Sequence, residues 1–284
     1  MKKFHKIVVV GAGTMGNGIA QVFAMHGYGV TLVDIEKRFL DRGLNAIQES
    51  LNRFVAKDVI SEDEAKGALS SIYTSTDLVR VSSDVDLVIE AVVENEEVKQ
   101  SVFKQLDASA PREAILASNT SSISITRIAD VCKNPDRVIG MHFMNPVPLM
   151  KLVEIIKGER TSKETLSVTT SVVESLGKVV GIAEDYPGFL ANRILMPMIN
   201  EAAFALMEGV GTKESIDKVM KLGCNFPMGP LSLADFIGLD VCVNILDVLH
   251  EGLGDSKYRC CPLLRRLVVS GKLGRKTGEG FYQY

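Results

Sequence analysis

A run of four β-branched residues, Ile7-Val8-Val9-Val10, leads straight into Gly11-Ala12-Gly13-Thr14-Met15-Gly16, and few architectures accept that junction. A continuous apolar run of this length suits a strand covered on both faces in a parallel sheet. Ile19, Val22 and Phe23 then recur at helical spacing until Gly27, so the glycines occupy a strand-to-helix turn. In such a turn the first glycine permits a tight bend, the second lets the backbone approach a pyrophosphate, and the third allows close helix packing, while the helix N-terminus stabilises negative charge. Val30-Thr31-Leu32-Val33 forms the next strand and Asp34 ends it, close to the roughly 20-residue spacing of an acid that binds an adenosine ribose. The alternative is a glycine turn without a ligand, and the strand, helix and acid around it weigh against that. An acid at Asp34 repels a 2′-phosphate, which favours NAD, while the nearby Lys37 and Arg38 keep NADP open.

Residues 36–57 read as a long charged amphipathic helix, and Ser61-Glu62-Asp63-Glu64 as the capped start of another. A helical insertion between the second and third strands of a nucleotide fold is unusual; by pattern alone Ser50, Arg53 and Lys57 belong to its solvated face. Residues 86–92 and 114–117 read as strands, and both finish in polar segments, Glu94-Asn95 and Ser118-Asn119-Thr120-Ser121-Ser122. Ligands bind at the carboxyl ends of strands in open α/β sheets, so Glu94, Lys99 and Ser121 are placed to meet a cofactor or substrate. The strand 138–141 delivers His142 to the same edge, ahead of a turn marked by Asn145-Pro146, and Leu152-Val153-Glu154-Ile155-Ile156 carries a carboxylate inside a β-branched run. If these two strands pair, Glu154 accepts from one imidazole nitrogen, fixes the tautomer and leaves the other for a substrate oxygen. A surface imidazole and an unrelated surface acid is the bland alternative. Convergence of several strand ends on one edge favours the pair.

A helix over 162–176 and a strand over 178–182 follow, after which strand patterns largely stop at Asp185-Tyr186-Pro187-Gly188. From Phe189 onward apolar residues recur at helical spacing, with Asn192 in the first turns. The expected architecture is therefore α/β: a Rossmann-like N-terminal domain over 1–184, with a mainly parallel sheet and an inserted helical hairpin, then an all-α C-terminal domain over 185–284. That second domain is apolar enough to predict a substrate cleft and a homodimer contact. With Lys+Arg 32 against Asp+Glu 35, net charge -3, no nucleic-acid or membrane partner is expected. The five cysteines include an adjacent pair and no CxxC spacing, which fits reduced thiols in a cytoplasmic protein and no metal site.

The chain also resembles the L-3-hydroxyacyl-CoA dehydrogenases, most closely the short bacterial 3-hydroxybutyryl-CoA type. The matching stretches are the glycine turn, 89–95, 118–122, 142–148, 185–189, 227–230 and 276–282. The family pattern usually carries two aromatics between the histidine and the asparagine; here the second is Met144. The resemblance implies reversible NAD(P)-dependent interconversion of (S)-3-hydroxybutyryl-CoA and acetoacetyl-CoA, in fatty-acid or butyrate metabolism. It implies that His142 exchanges the proton, that Glu154 orients it, and that Ser121 and Asn192 bond near the reacting carbon. It assigns Ser50 and Lys57 to coenzyme A and Lys276 to the cofactor. The expected cofactor set is thus Gly11, Gly13, Thr14, Met15, Gly16, Asp34, Glu94, Lys99, Ser121, Asn145 and Lys276. Another two-domain β-hydroxyacid dehydrogenase, or a nonenzymatic NAD-binding protein, is the competing reading.

Overall fold

The computed structural model describes residues 4–284, and the chain divides into two compact units, the first ending at Tyr186 and the second spanning Pro187–Tyr284. The first unit opens with β1 (Lys6–Val10), α1 (Thr14–Met25) and β2 (Gly29–Val33), followed by α2 (Lys37–Val55), α3 (Glu62–Ser70), β3 (Ile72–Ser75) and α4 (Leu78–Ser82). Then come β4 (Leu87–Glu90), α5 (Glu96–Ser109), β5 (Ile115–Ser118), α6 (Ile125–Ala129), β6 (Val138–Phe143), β7 (Leu152–Lys157), α7 (Lys163–Ser175) and β8 (Val179–Glu184). The eight strands form one sheet in the order β3-β2-β1-β4-β5-β6-β7-β8. The β6–β7 pair is antiparallel, and the other pairs described are parallel.

Local chemistry explains most of these elements. In β1, Ile7, Val8, Val9 and Val10 are all buried, as a strand in the middle of a two-sided sheet requires. Along α2, Leu40, Gly43, Ile47 and Leu51 are buried at helical spacing while the opposite face carries the charges, so the insertion docks by one stripe. Ser61 and Glu64 close a reciprocal capping box that starts α3. The Ser162 hydroxyl accepts from Thr165 N at 3.0 Å and starts α7. The helical hairpin expected between the second and third strands is thus present.

Two sequence expectations need correction. The strand at 86–92 is the fourth in the chain, because β3 and α4 precede it; β3 is only four residues long at the sheet edge, with Tyr73 65% exposed. A short edge strand of that kind lacks the apolar run that marks the central ones. His142 lies inside β6, one residue before its end, and not beyond the strand.

The second unit contains α8 (Ala191–Met207), α9 (Lys213–Gly223), α10 (Pro230–Ile237), α11 (Leu239–Leu253) and α12 (Pro262–Val269). Its core joins Met196, Ile199, Ala203, Leu231, Leu246 and Leu264. The Asp217 carboxylate on α9 accepts from Leu231 N at 2.8 Å and Ser232 N at 3.0 Å, so one helix caps the start of another. No helix among the described residues is long and apolar enough to cross a membrane.

Phe23 is fully buried beneath the sheet and packs edge-on against Tyr28, ring centroids 5.3 Å apart. Phe23→Ala should lower unfolding free energy by about 3–5 kcal/mol, measured by urea denaturation. A loss under about 1 kcal/mol would contradict this packing.

Candidate active site

The three glycines of the first turn are glycine for three different reasons. Gly11 has φ +101° and a side-chain carbon there would stand 2.5 Å from Ala91 O, so it needs both left-handed backbone and close approach. At Gly16 that carbon would stand 1.7 Å from Gly11 O, which closes the turn on itself. At Gly13 it would meet nothing within 4 Å. The packing of the protein therefore does not require glycine at position 13, and that side of the turn is open to an approaching ligand. Gly13 is the N-cap of α1 without a side-chain cap, and the helix starts with its N–H groups directed at the same space. Thr14 is exposed and Met15 half-buried there.

Asp34 follows β2, and its carboxylate accepts from Ala12 N and from Ile35 N, both at 2.7 Å. One oxygen thus ties the strand end to the glycine turn, and the remaining lone pairs are directed at the cleft alongside. That cleft has a volume of about 1020 Å³ and is lined by Gly11, Gly13, Asp34, Arg42, Val92 and Val98 among others. This size suits a cofactor site, for which volumes of about 300–1,000 Å³ are usual. An open Gly13, an uncapped helix start and an acid at the rim together fit a dinucleotide. Part of the lining, Thr76 to Val79, comes from the end of β3 and the start of α4, which the sequence reading did not find.

Further along the sheet, antiparallel pairing sets His142 directly opposite Glu154. Opposed residues point to the same face with Cβ atoms about 4.5–5.5 Å apart, and His142 Nδ1 meets Glu154 Oε2 at 3.0 Å. Both are buried, at 8% and 2% exposure. The surface alternative raised for this pair is therefore excluded. Sequence reasoning missed Asn119: its buried side chain accepts from Phe143 N at 2.9 Å and so holds the backbone beside His142. Its position in the polar run after β5 was the available signal.

A third cluster lies after β4 and β5. Glu94 Oε1 accepts from Thr120 Oγ1 at 2.6 Å, Ser121 N at 2.9 Å, Ser121 Oγ at 3.3 Å, and from Ser122 N and Oγ at 3.2 Å each. Glu94 Oε2 faces Lys99 Nζ at 3.3 Å. Burial, the largest single influence on this carboxyl, opposes its charge, yet the Lys99 ammonium and the Thr120 and Ser121 hydrogen bonds together outweigh it. They hold Glu94 below the ordinary carboxylate range. Lys99 was expected to reach the cofactor, but only 1% of its side chain is exposed and its ammonium lies between Glu94 and Glu90, the latter at 2.7 Å. Of the three, Glu94 alone opens to solvent. Glu90, last residue of β4 and fully buried, is a second residue the sequence reading passed over, because it sits inside an apolar strand pattern.

Ser50 is half-buried on α2 and Lys57 exposed just past its end. Asn145 is exposed at a cis Asn145–Pro146 bond. Asn192 is buried in the first turn of α8, and Lys276 pairs with Asp240 at 2.6 and 2.7 Å, both within the second unit.

A parallel sheet carrying a phosphate-ready turn, a ribose-ready acid and a buried imidazole–carboxylate pair defines a dinucleotide-dependent oxidoreductase. Comparison with known proteins narrows this. Residues 6–186 match the family model described as 3-hydroxyacyl-CoA dehydrogenase, NAD binding domain, and residues 188–284 match 3-hydroxyacyl-CoA dehydrogenase, C-terminal domain. The chain belongs to the 3-hydroxyacyl-CoA dehydrogenase family. It is 54% identical over 279 residues to a probable 3-hydroxybutyryl-CoA dehydrogenase of Deinococcus radiodurans, covering 98% of this chain and 100% of the relative. It is 45% identical to the mitochondrial hydroxyacyl-coenzyme A dehydrogenase of Homo sapiens, over 98% of this chain and 90% of that one. The crystal structure of (S)-3-hydroxybutyryl-CoA dehydrogenase from Ralstonia eutropha superposes with a TM-score of 0.96 at 46% identity, covering 99% of each chain.

Gly13→Ala provides a direct test of the cleft. With no protein atom near the new methyl, the melting temperature should stay within about 2 °C of wild type, while NADH affinity, followed by fluorescence titration, should fall at least about tenfold. Equal affinity in the two proteins would show that no ligand backbone approaches there.

Proposed function

We propose that this protein interconverts (S)-3-hydroxybutyryl-CoA and acetoacetyl-CoA with NAD as the working cofactor. The observation that carries the reading is the 3.0 Å contact between His142 Nδ1 and Glu154 Oε2 in a buried cross-strand pair. The names of the relatives, among them the probable 3-hydroxybutyryl-CoA dehydrogenase of Deinococcus radiodurans and the (S)-3-hydroxybutyryl-CoA dehydrogenase of Ralstonia eutropha, support the substrate. When bound, the cofactor supplies hydride exchange at the carbon that bears the hydroxyl.

The chain's own residues handle the proton and the placement. Glu154 engages Nδ1, so proton exchange with the 3-oxygen falls to Nε2: His142 donates during reduction and accepts during oxidation. The same carboxylate offsets the positive charge on the ring while it holds the proton and fixes its plane. Ser121 and Asn192 donate hydrogen bonds near the reacting carbon, stabilising the developing alkoxide. The N–H groups of Gly13, Thr14 and Met15 take the pyrophosphate, with Gly11 and Gly16 closing the turn. Asp34 takes the adenosine ribose, and Glu94, with Lys99 behind it, takes the nicotinamide half, joined by Asn145 and Lys276. Ser50 and Lys57, on and just past α2, hold the coenzyme A moiety, which gives the inserted hairpin a use. The Asp34 carboxylate disfavours a 2′-phosphate, and Arg42 in the same cleft keeps NADP usable at lower affinity.

The exposed Ile194 and Leu222 of the second unit, at 71% and 74%, support a homodimer through that unit. Unpaired buried thiols at Cys132, Cys242, Cys260 and Cys261 suit a reducing compartment, the cytoplasm.

Incubation with acetoacetyl-CoA and NADH should consume NADH absorbance in proportion to enzyme. His142→Gln should slow that turnover by about 10²- to 10⁴-fold with NADH affinity preserved; turnover at the wild-type rate would remove the imidazole from the mechanism. Asp34→Ala should raise KM for NADH and shift the ratio of kcat/KM values toward NADPH. An unchanged ratio would detach Asp34 from the ribose.

A further inference from the structure

We infer that Glu90 is a positioning residue for this reaction, acting through Lys99 to hold Glu94 and, with it, the Ser121 loop. The inference rests on the dehydrogenase reading. Glu90 ends β4 in the middle of the sheet, in register with Val10 of β1 and Ser118 of β5. Its Oε1 accepts from Val92 N and from Lys99 Nζ, both at 2.7 Å, and its Oε2 accepts from Ser118 Oγ at 2.6 Å. Its carbonyl accepts from Asn119 N at 2.8 Å. One fully buried residue therefore joins the wall of the cofactor cleft, the first turns of α5 and the loop after β5.

A buried carboxylate and ammonium are poor stabilisers, since apolar residues of similar volume usually serve a core as well or better. Their use here lies in geometry. Lys99 is anchored on the buried side by the shorter contact, 2.7 Å to Glu90, and reaches outward to Glu94 at 3.3 Å. A flexible lysine stem is thereby turned into a fixed strut. Glu94, braced on that side, presents Oε1 to the N–H and hydroxyl donors of Thr120, Ser121 and Ser122. The charged groups facing Glu94 are Lys99 on α5 and, behind it, Glu90 on β4; on α6, Arg127 is engaged with Glu96 at 2.9 Å.

Two variants separate positioning from simple packing. Glu90→Gln removes one of the two counter-charges on Lys99, which is then drawn wholly toward Glu94. The acid limb of the kcat/KM profile for acetoacetyl-CoA reduction should move to lower pH, with kcat/KM reduced about 10- to 100-fold by misplacement. In Glu90→Gln/Lys99→Met both buried charges leave together, so the melting temperature should return to that of wild type. Glu94 then lacks its strut: the acid limb should move the opposite way, to higher pH, and NADH affinity should fall at least about tenfold. If the double variant regains melting temperature, NADH affinity and an unshifted acid limb, Glu90 is only a packing residue and the inference is overturned. Should Glu90→Gln fail to fold, the double variant decides by itself. A wild-type protein that binds NADH but leaves acetoacetyl-CoA untouched would sink the reaction instead, and NADH titration of the double variant would still decide on Glu90.

Discussion

Between β6 and β7 the chain reverses direction inside an otherwise parallel sheet, and that reversal sets the geometry of the buried imidazole–carboxylate pair. Parallel neighbours are staggered along slanted hydrogen bonds, whereas antiparallel partners stand directly opposite. His142 and Glu154 occupy one such pair of opposed positions. Slipping the register by one residue would turn Glu154 to the other face and replace it with Val153 or Ile155, taking the carboxylate away from the buried imidazole. The apolar neighbours Met141, Phe143, Val153 and Ile155 are all buried at 1% exposure or less, so hydrophobic packing on the opposite face pins the register that the polar pair needs.

The strand ends beside this pair are tied together by side chains, not by the sheet alone. Asn119 reaches from β5 to the backbone of β6, and Ser118 reaches from β5 to Glu90 on β4. Loops at the carboxyl edge of a parallel sheet have no ladder to hold them, and buried polar groups that are fully paired give them a fixed shape. The cofactor cleft and the imidazole pair are thus separate constructions on one edge, with the Glu90–Lys99–Glu94 row standing between the strands that carry them.

Much of this was legible in the sequence wherever a residue's local pattern and its role coincide. The glycine turn, Asp34, the capped start of α3 and the inserted hairpin all follow from spacing and side-chain chemistry within a few dozen residues. The His142–Glu154 pairing was legible as a possibility, because a carboxylate in a β-branched run is conspicuous, but its register depends on strands meeting in space. Glu90 was hidden for a different reason: within the strand read over 86–92 a single acid gives no sign of the Val92, Lys99 and Ser118 donors it meets in space. Lys99 was placed toward a ligand because strand-end position says which edge a residue is near and nothing about which acids await it there. β3 escaped because an edge strand of four residues buries too little to leave a pattern.

The glycine-rich end of the second unit shows how the same composition can arise from a different demand. Asp235 on α10 accepts from Phe281 N and Tyr282 N at 2.9 Å each, and a side-chain carbon at Gly280 would stand 2.0 Å from Asp235 Oδ1, while one at Gly274 would stand 2.3 Å from Asp235 O. These glycines are small so that the tail can close on a buried acid of its own unit, as Gly16 is small so that the first turn can close on Gly11. At Gly13, as at Gly278 of the second unit, the space where a side chain would be is open. A motif written in glycine therefore mixes positions closed against the chain's own atoms with positions left open, and the atoms each missing methyl would touch are what tell them apart.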